Sequence, residues 1–99
     1  MNAENAAALV EEELERLARA QLEAAEEARR HLSQLIQAAT EVRETLLVDT
    51  SFYTVSTSVV VMERDLAEAL RATARYDSLG LTRGNLARAR EKLEKRETP

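Results

Sequence analysis

Apolar residues recur at helical spacing through the first half of the chain. Leu14, Leu17, Ala18, Ala24, Ala25, Ala28, Leu32, Leu35, Ala38, Ala39, Val42 and Leu46 share one face, interrupted by Gln21 and His31. With neither Gly nor Pro in this stretch, the spacing predicts a single uninterrupted helix over residues 5–47. At ~1.5 Å per residue such a helix reaches roughly 60 Å. Its stripe is alanine-rich in the middle, where a partner helix can approach closely.

A second helical period is legible over residues 65–95. Asp65 has N-cap chemistry and Glu68 completes a capping-box pair. Leu66, Ala69, Leu70, Ala72, Tyr76, Leu79, Leu86, Ala89 and Leu93 then supply an apolar face. Gly80 and Gly84 lie within it, each costing ~1 kcal/mol relative to alanine in a helix interior.

Between the two periods, residues 48–64 change character. Val48, Phe52, Tyr53, Thr54, Val55, Thr57, Val59, Val60 and Val61 give this segment β-branched and aromatic side chains with almost no charge. The expectation is a β hairpin, with strands over 51–55 and 58–62 joined through Ser56-Thr57. Tyr53, Val55, Val59 and Val61 would share one face of it, and Phe52, Thr54, Val60 and Met62 the other. A lone two-stranded hairpin is marginal in water, so it is expected to pair between subunits. Phe52, Tyr53, Val55, Val59, Val60 and Val61 are the oligomerisation candidates. The predicted fold is mainly α: an antiparallel two-helix coiled coil joined by a short β hairpin that mediates oligomerisation, in a single domain over residues 1–99.

Composition narrows the function classes. The chain has 99 residues, of which 32% are charged and 3% aromatic, with no Trp. A compact core is hard to build from so few large side chains, which again points to oligomerisation. The net charge of -4 disfavours nucleic acid and anionic membranes as partners. No cysteine is present, so disulfides and thiol chemistry are excluded. No window is apolar enough to span a membrane, and a cytoplasmic location is expected.

No catalytic constellation emerges, and the chain is not read as an enzyme. The single histidine, His31, lies at the seam and reads as a partly buried helix residue. Glu23, Glu26 and Glu27 have helical spacing, but bundle carboxylate sites add a histidine three residues on, and none is present here. No phosphate loop occurs, and Ser33, Ser51, Ser56, Ser58 and Ser78 have no nearby base. No metal and no cofactor are expected.

One resemblance is carried by the central residues. Asp49-Thr50, Tyr53 and Val55, followed by Val59-Val60-Val61 and then Leu66-Ala67-Glu68-Ala69, resemble the junction in β-type prefoldin subunits, with the flanking helices similar only in pattern. The resemblance implies antiparallel coiled-coil helices joined by one hairpin, and assembly of subunits, as a hexamer, through a β platform. It also implies an ATP-independent chaperone, a holdase. The coil tips would grip non-native polypeptides and hand them to a group II chaperonin, alongside other prefoldin-type subunits. Leu9, Val10, Leu14, Leu17, Leu86 and Leu93 would form the client-binding tips, beside the acidic residues Glu11, Glu12, Glu13 and Glu15. The same heptads support an alternative of another class, a structural or adaptor helical hairpin that forms a coiled-coil dimer or four-helix bundle. The state of residues 48–64 separates the two.

Overall fold

In a computed structural model, residues 3–48 and 52–97 are described, with side chains over 4–48 and 55–96. The chain is mainly α, consisting of α1 (Ala3–Val48) followed by α2 (Phe52–Glu97). Each helix has 46 residues. The first helix matches its expected bounds of 5–47 to within a turn. No strand occurs among the described residues.

The expected hairpin is therefore corrected. Residues 52–64 are the opening turns of α2, while Asp49, Thr50 and Ser51 lie outside the described residues. The physical reason is that β-branched residues cost only a few tenths of a kcal/mol each in a helix, and no Gly or Pro interrupts this run. The inward positions also keep helical spacing: Val55, Ser58, Val61, Met62, Asp65, Glu68, Ala69 and Ala72 are all buried or half-buried. A helix satisfies every interior backbone donor locally, whereas an isolated hairpin leaves both edges open. Elsewhere, threonine hydroxyls within the helices bond back to the carbonyl one turn before. Thr40 Oγ1 donates to the Ile36 carbonyl at 2.9 Å, Thr73 Oγ1 to Ala69 at 2.8 Å, and Thr82 Oγ1 to Ser78 at 3.0 Å.

Asp65 accordingly caps nothing. It sits well inside α2, only 5% exposed, and Glu68 instead accepts a hydrogen bond from Arg71 Nη2 at 2.5 Å. Residue types favoured at helix starts, Asp49-Thr50-Ser51, precede Phe52 in the sequence.

The chain divides into two compact units, each pairing a segment of α1 with a segment of α2. Unit 1 comprises Met1–Ala24 and Arg75–Pro99. As α1 advances here from Glu11 to Gln21, the partners on α2 step back from Arg90 to Arg83, so the segments are antiparallel. Its buried apolar residues are Leu17, 2% exposed, and Ala24. Gly80 lies so close to α1 that a Cβ there would meet Gln21 Nε2 at 2.8 Å, whereas a Cβ on Gly84 would meet nothing within 4 Å. Unit 2 is Ala25–Ala74. Here His31 pairs with Asp65, while Ala38 and Glu41 share a cleft with Val61, so these segments are antiparallel too. Among the described residues, its fully buried apolar side chains are alanines: Ala28, Ala38, Ala69 and Ala72.

Candidate functional site

Unit 2 leaves bulky apolar side chains outside its seam. Alanines are its most deeply buried apolar residues among those described, and Leu35, Val42, Val55, Val61 and Met62 are half-buried beside them. Leu32, Ile36, Val59, Val60, Leu66 and Leu70 stand outside, with Ile36 65% and Leu70 62% exposed. Helical geometry organises these outer residues. At about 100° per residue, Leu32 and Ile36 lie roughly a quarter to a third of a turn from the direction of Ala28 and Ala38. On α2, Val59, Leu66 and Leu70 are displaced from Ala69 and Ala72 by a similar angle in the same rotational sense. Because the segments are antiparallel, equal displacements turn both stripes toward one side of the pair. The outcome is a shared apolar face. Arg29 and Arg43 occupy exposed positions on the α1 stripe, and Glu63 an exposed position beside the α2 stripe.

A polar cluster lies at the seam of the same unit. His31 Nδ1 is 3.4 Å from Asp65 Oδ1, and both side chains are largely buried. Glu27, one turn before His31 on α1, and Glu68, on α2, approach the same histidine. One ligand-type atom from each of Glu27, His31 and Glu68 lies within 4.8 Å of the others. Next to this cluster, a cleft of about 270 Å³ is lined by Gln34, Gln37, Ala38, Glu41, Val61, Arg64 and Asp65.

Unit 1 contains the six residues expected to bind clients, in different environments. Leu9 and Leu93 are half-exposed, Val10, Leu14 and Leu86 are half-buried, and Leu17 is a core residue. Leu17 is therefore corrected from client contact to packing. Leu9 borders a surface hollow of about 400 Å³ with Glu12, Glu13, Glu15, Arg16 and Arg19. Arg16 Nε donates to Glu13 Oε2 at 2.9 Å, and this hydrogen bond holds the Glu13 carboxyl below the usual carboxylate range. Across the helices, Arg90 Nη1 donates to Glu11 Oε1, and Arg83 Nη1 to Gln21 Oε1 at 3.2 Å.

The oligomerisation candidates no longer lie on two faces of a hairpin. As helix residues, Val55 and Val61 turn partly inward and Val59 and Val60 outward, while the side chains of Phe52 and Tyr53 lie outside the described residues. Sequence reasoning passed over the meeting of Glu27, His31, Asp65 and Glu68. The available signal was the one-turn spacing of Glu27 and His31, but its complement comes from another helix. No described helix is long and apolar enough to cross a membrane. Compared with protein-family models, curated proteins and solved structures, the chain gives no significant match.

Proposed function

We propose that the chain is a structural helical hairpin that works by association, with the outer face of unit 2 covered by a second copy to make a four-helix bundle. The observation that carries this reading is the exposed apolar stripe of unit 2, in which Leu32, Ile36, Val59, Leu66 and Leu70 stand outside a seam whose deepest residues are alanines. Burying a Leu, Ile or Val contributes about 1.5–3 kcal/mol, and the exposed Leu32, Ile36, Val59, Leu66 and Leu70 leave that gain unrealised within one chain. Alanine contributes to this, since its small side chain lets the two helices approach closely and frees the bulky residues to serve an outer layer. The face is also self-complementary in charge. A two-fold partner sets the α1 stripe, with Arg29 and Arg43, against an α2 stripe flanked by Glu63. In this role the chain contributes assembly and geometry, with no bond made or broken.

The test is the mass in solution. Sedimentation equilibrium at micromolar concentration should return a dimer, and a chain that remains monomeric at 100 micromolar would sink the reading.

A second reading is favoured by Leu9 and Leu93, which stand half-exposed in unit 1. It is the holdase suggested by the prefoldin-type junction: a cytoplasmic, ATP-independent binder of non-native polypeptides that passes them to a chaperonin, assembled with further subunits. Its hairpin platform would have to form from residues that are helical here. Suppression of the aggregation of a denatured client, without nucleotide and at substoichiometric amounts, supports this reading. Unchanged aggregation at a several-fold excess of the chain removes it.

A further inference from the structure

We propose that Glu27, His31 and Glu68 form a site for a divalent transition-metal ion, with Asp65 as the residue that positions the histidine. Glu27 and His31 are one helical turn apart on α1, so their side chains leave the same face, and Glu68 meets them from α2. The three ligand-type atoms already lie within 4.8 Å of one another. Ligands ~2.1 Å from a tetrahedral ion are about 3.4 Å apart, so swings of Glu27 and Glu68 by roughly an ångström close the site. The Glu68 carboxylate that moves already accepts from the exposed Arg71.

The histidine carries the second, independent part of the argument. A metal-binding imidazole commonly donates its other ring N–H to a carboxylate, which fixes the tautomer and raises the basicity of the ligating nitrogen. His31 Nδ1 faces Asp65 Oδ1 at 3.4 Å, which leaves Nε2 for an ion, and Asp65 is held in the seam at 5% exposure. One imidazole nitrogen with two carboxylate oxygens is a borderline donor set. It suits zinc and its neighbours better than magnesium or calcium, which take oxygen ligands. Three protein ligands leave a coordination position for water. Because the ligands come from both helices, the bound ion would clamp the two segments of unit 2.

Zinc chloride titrated into the untagged, chelator-treated chain in a calorimeter provides the test. We expect one zinc per chain with micromolar or tighter affinity, unaffected by millimolar magnesium. At zinc a hundredfold above its Kd, the thermal midpoint should rise by at least about 10 °C. His31→Ala and the near-isosteric Glu68→Gln should each weaken binding by more than about a hundredfold, beyond the ~10–100-fold expected for the outer-shell change Asp65→Asn. The chain has a single histidine, so its one imidazole reports without any substitution. Its Nε2 resonance should shift on adding zinc, and Asp65→Asn should change the tautomer balance read from the ring nitrogens. The proposal is overturned if the imidazole signals do not move, if magnesium competes as well as zinc, or if Glu68→Gln binds zinc like the parent.

Discussion

The two units solve the same packing problem in different ways. Unit 1 buries a leucine, Leu17, and ties its segments together at the rim through Glu11 with Arg90 and Gln21 with Arg83. Unit 2 buries alanines most deeply, with a His–Asp pair, and leaves Leu32, Ile36, Leu66 and Leu70 outside. Both units leave leucines exposed, Leu22 and Leu81 in unit 1 and Leu66 and Leu70 in unit 2. In unit 2, however, the exposed residues of both helices form one stripe, which under the proposed association is half of a larger core. The difference teaches that an apolar stripe wider than the seam can bury small residues at the closest approach and still leave leucines at its outer edge.

The sharpest way to break the comparison is to charge the outer face of unit 2. Ile36→Glu combined with Leu66→Glu should convert the proposed dimer to monomer, with a loss of at least about 4 kcal/mol if both behave as central contacts. Sedimentation measures it, and a dimer of unchanged affinity would show that the face is not the interface. The next effect concerns the interiors. Leu17→Ala should cost about 2–5 kcal/mol by leaving a cavity in unit 1, whereas Ala69→Leu should cost about 1–3 kcal/mol by overfilling unit 2. Urea denaturation compares the two, and a stabilising Ala69→Leu would mean that the alanine seam has room to spare.

A smaller effect separates the two glycines of unit 1. Gly84→Ala should stabilise by up to ~1 kcal/mol, since a Cβ there meets open space. Gly80→Ala should gain less, because the new Cβ must displace the Gln21 amide that receives Arg83. Thermal midpoints rank the pair, and equal gains would show that the Gln21 contact contributes nothing. The smallest effect comes from Glu13. Its folded-state carboxyl is held low by Arg16, so its contribution is complete above the unfolded carboxylate range and is lost as the pH falls through the lowered value. At this solvent-exposed pair, Glu13→Gln should barely change stability at neutral pH and should slightly flatten the acid limb of the stability curve. A large loss at neutral pH would contradict the surface assignment.

How far the sequence could be read depended on whether a position faced inward with an apolar or a polar residue. The first helix was legible almost to its ends because its inward positions are Leu, Ala and Val at regular spacing without Gly or Pro. The start of α2 was not, because Ser58 and Asp65 fill two inward positions and break the apolar stripe, while the valines between them imitate a strand. Once Asp65 is taken for a cap, its partnership with His31, distant in sequence, becomes invisible. The seam itself was legible as alanine-rich. That Leu32, Leu66 and Leu70 stand outside it depends on the angular offset between the stripes, which appears only when both helices are paired.

The opening turns of α2 also bear on how the chain can go wrong. Phe52 through Met62 contains no charge, Gly or Pro, and has the β-branched content of a fibril-forming segment. Held as helix, its backbone donors from Ser56 onward are consumed one turn away and offer nothing to a neighbour. The helical state is thus a safeguard as well as a shape, and partial opening of unit 2 would expose the most aggregation-prone stretch of the chain. Exposed Ser56 is the place for a gatekeeper. Ser56→Lys should lengthen the lag before thioflavin-positive aggregates form on heating while leaving the helical content intact, and an unchanged lag would locate the hazard elsewhere.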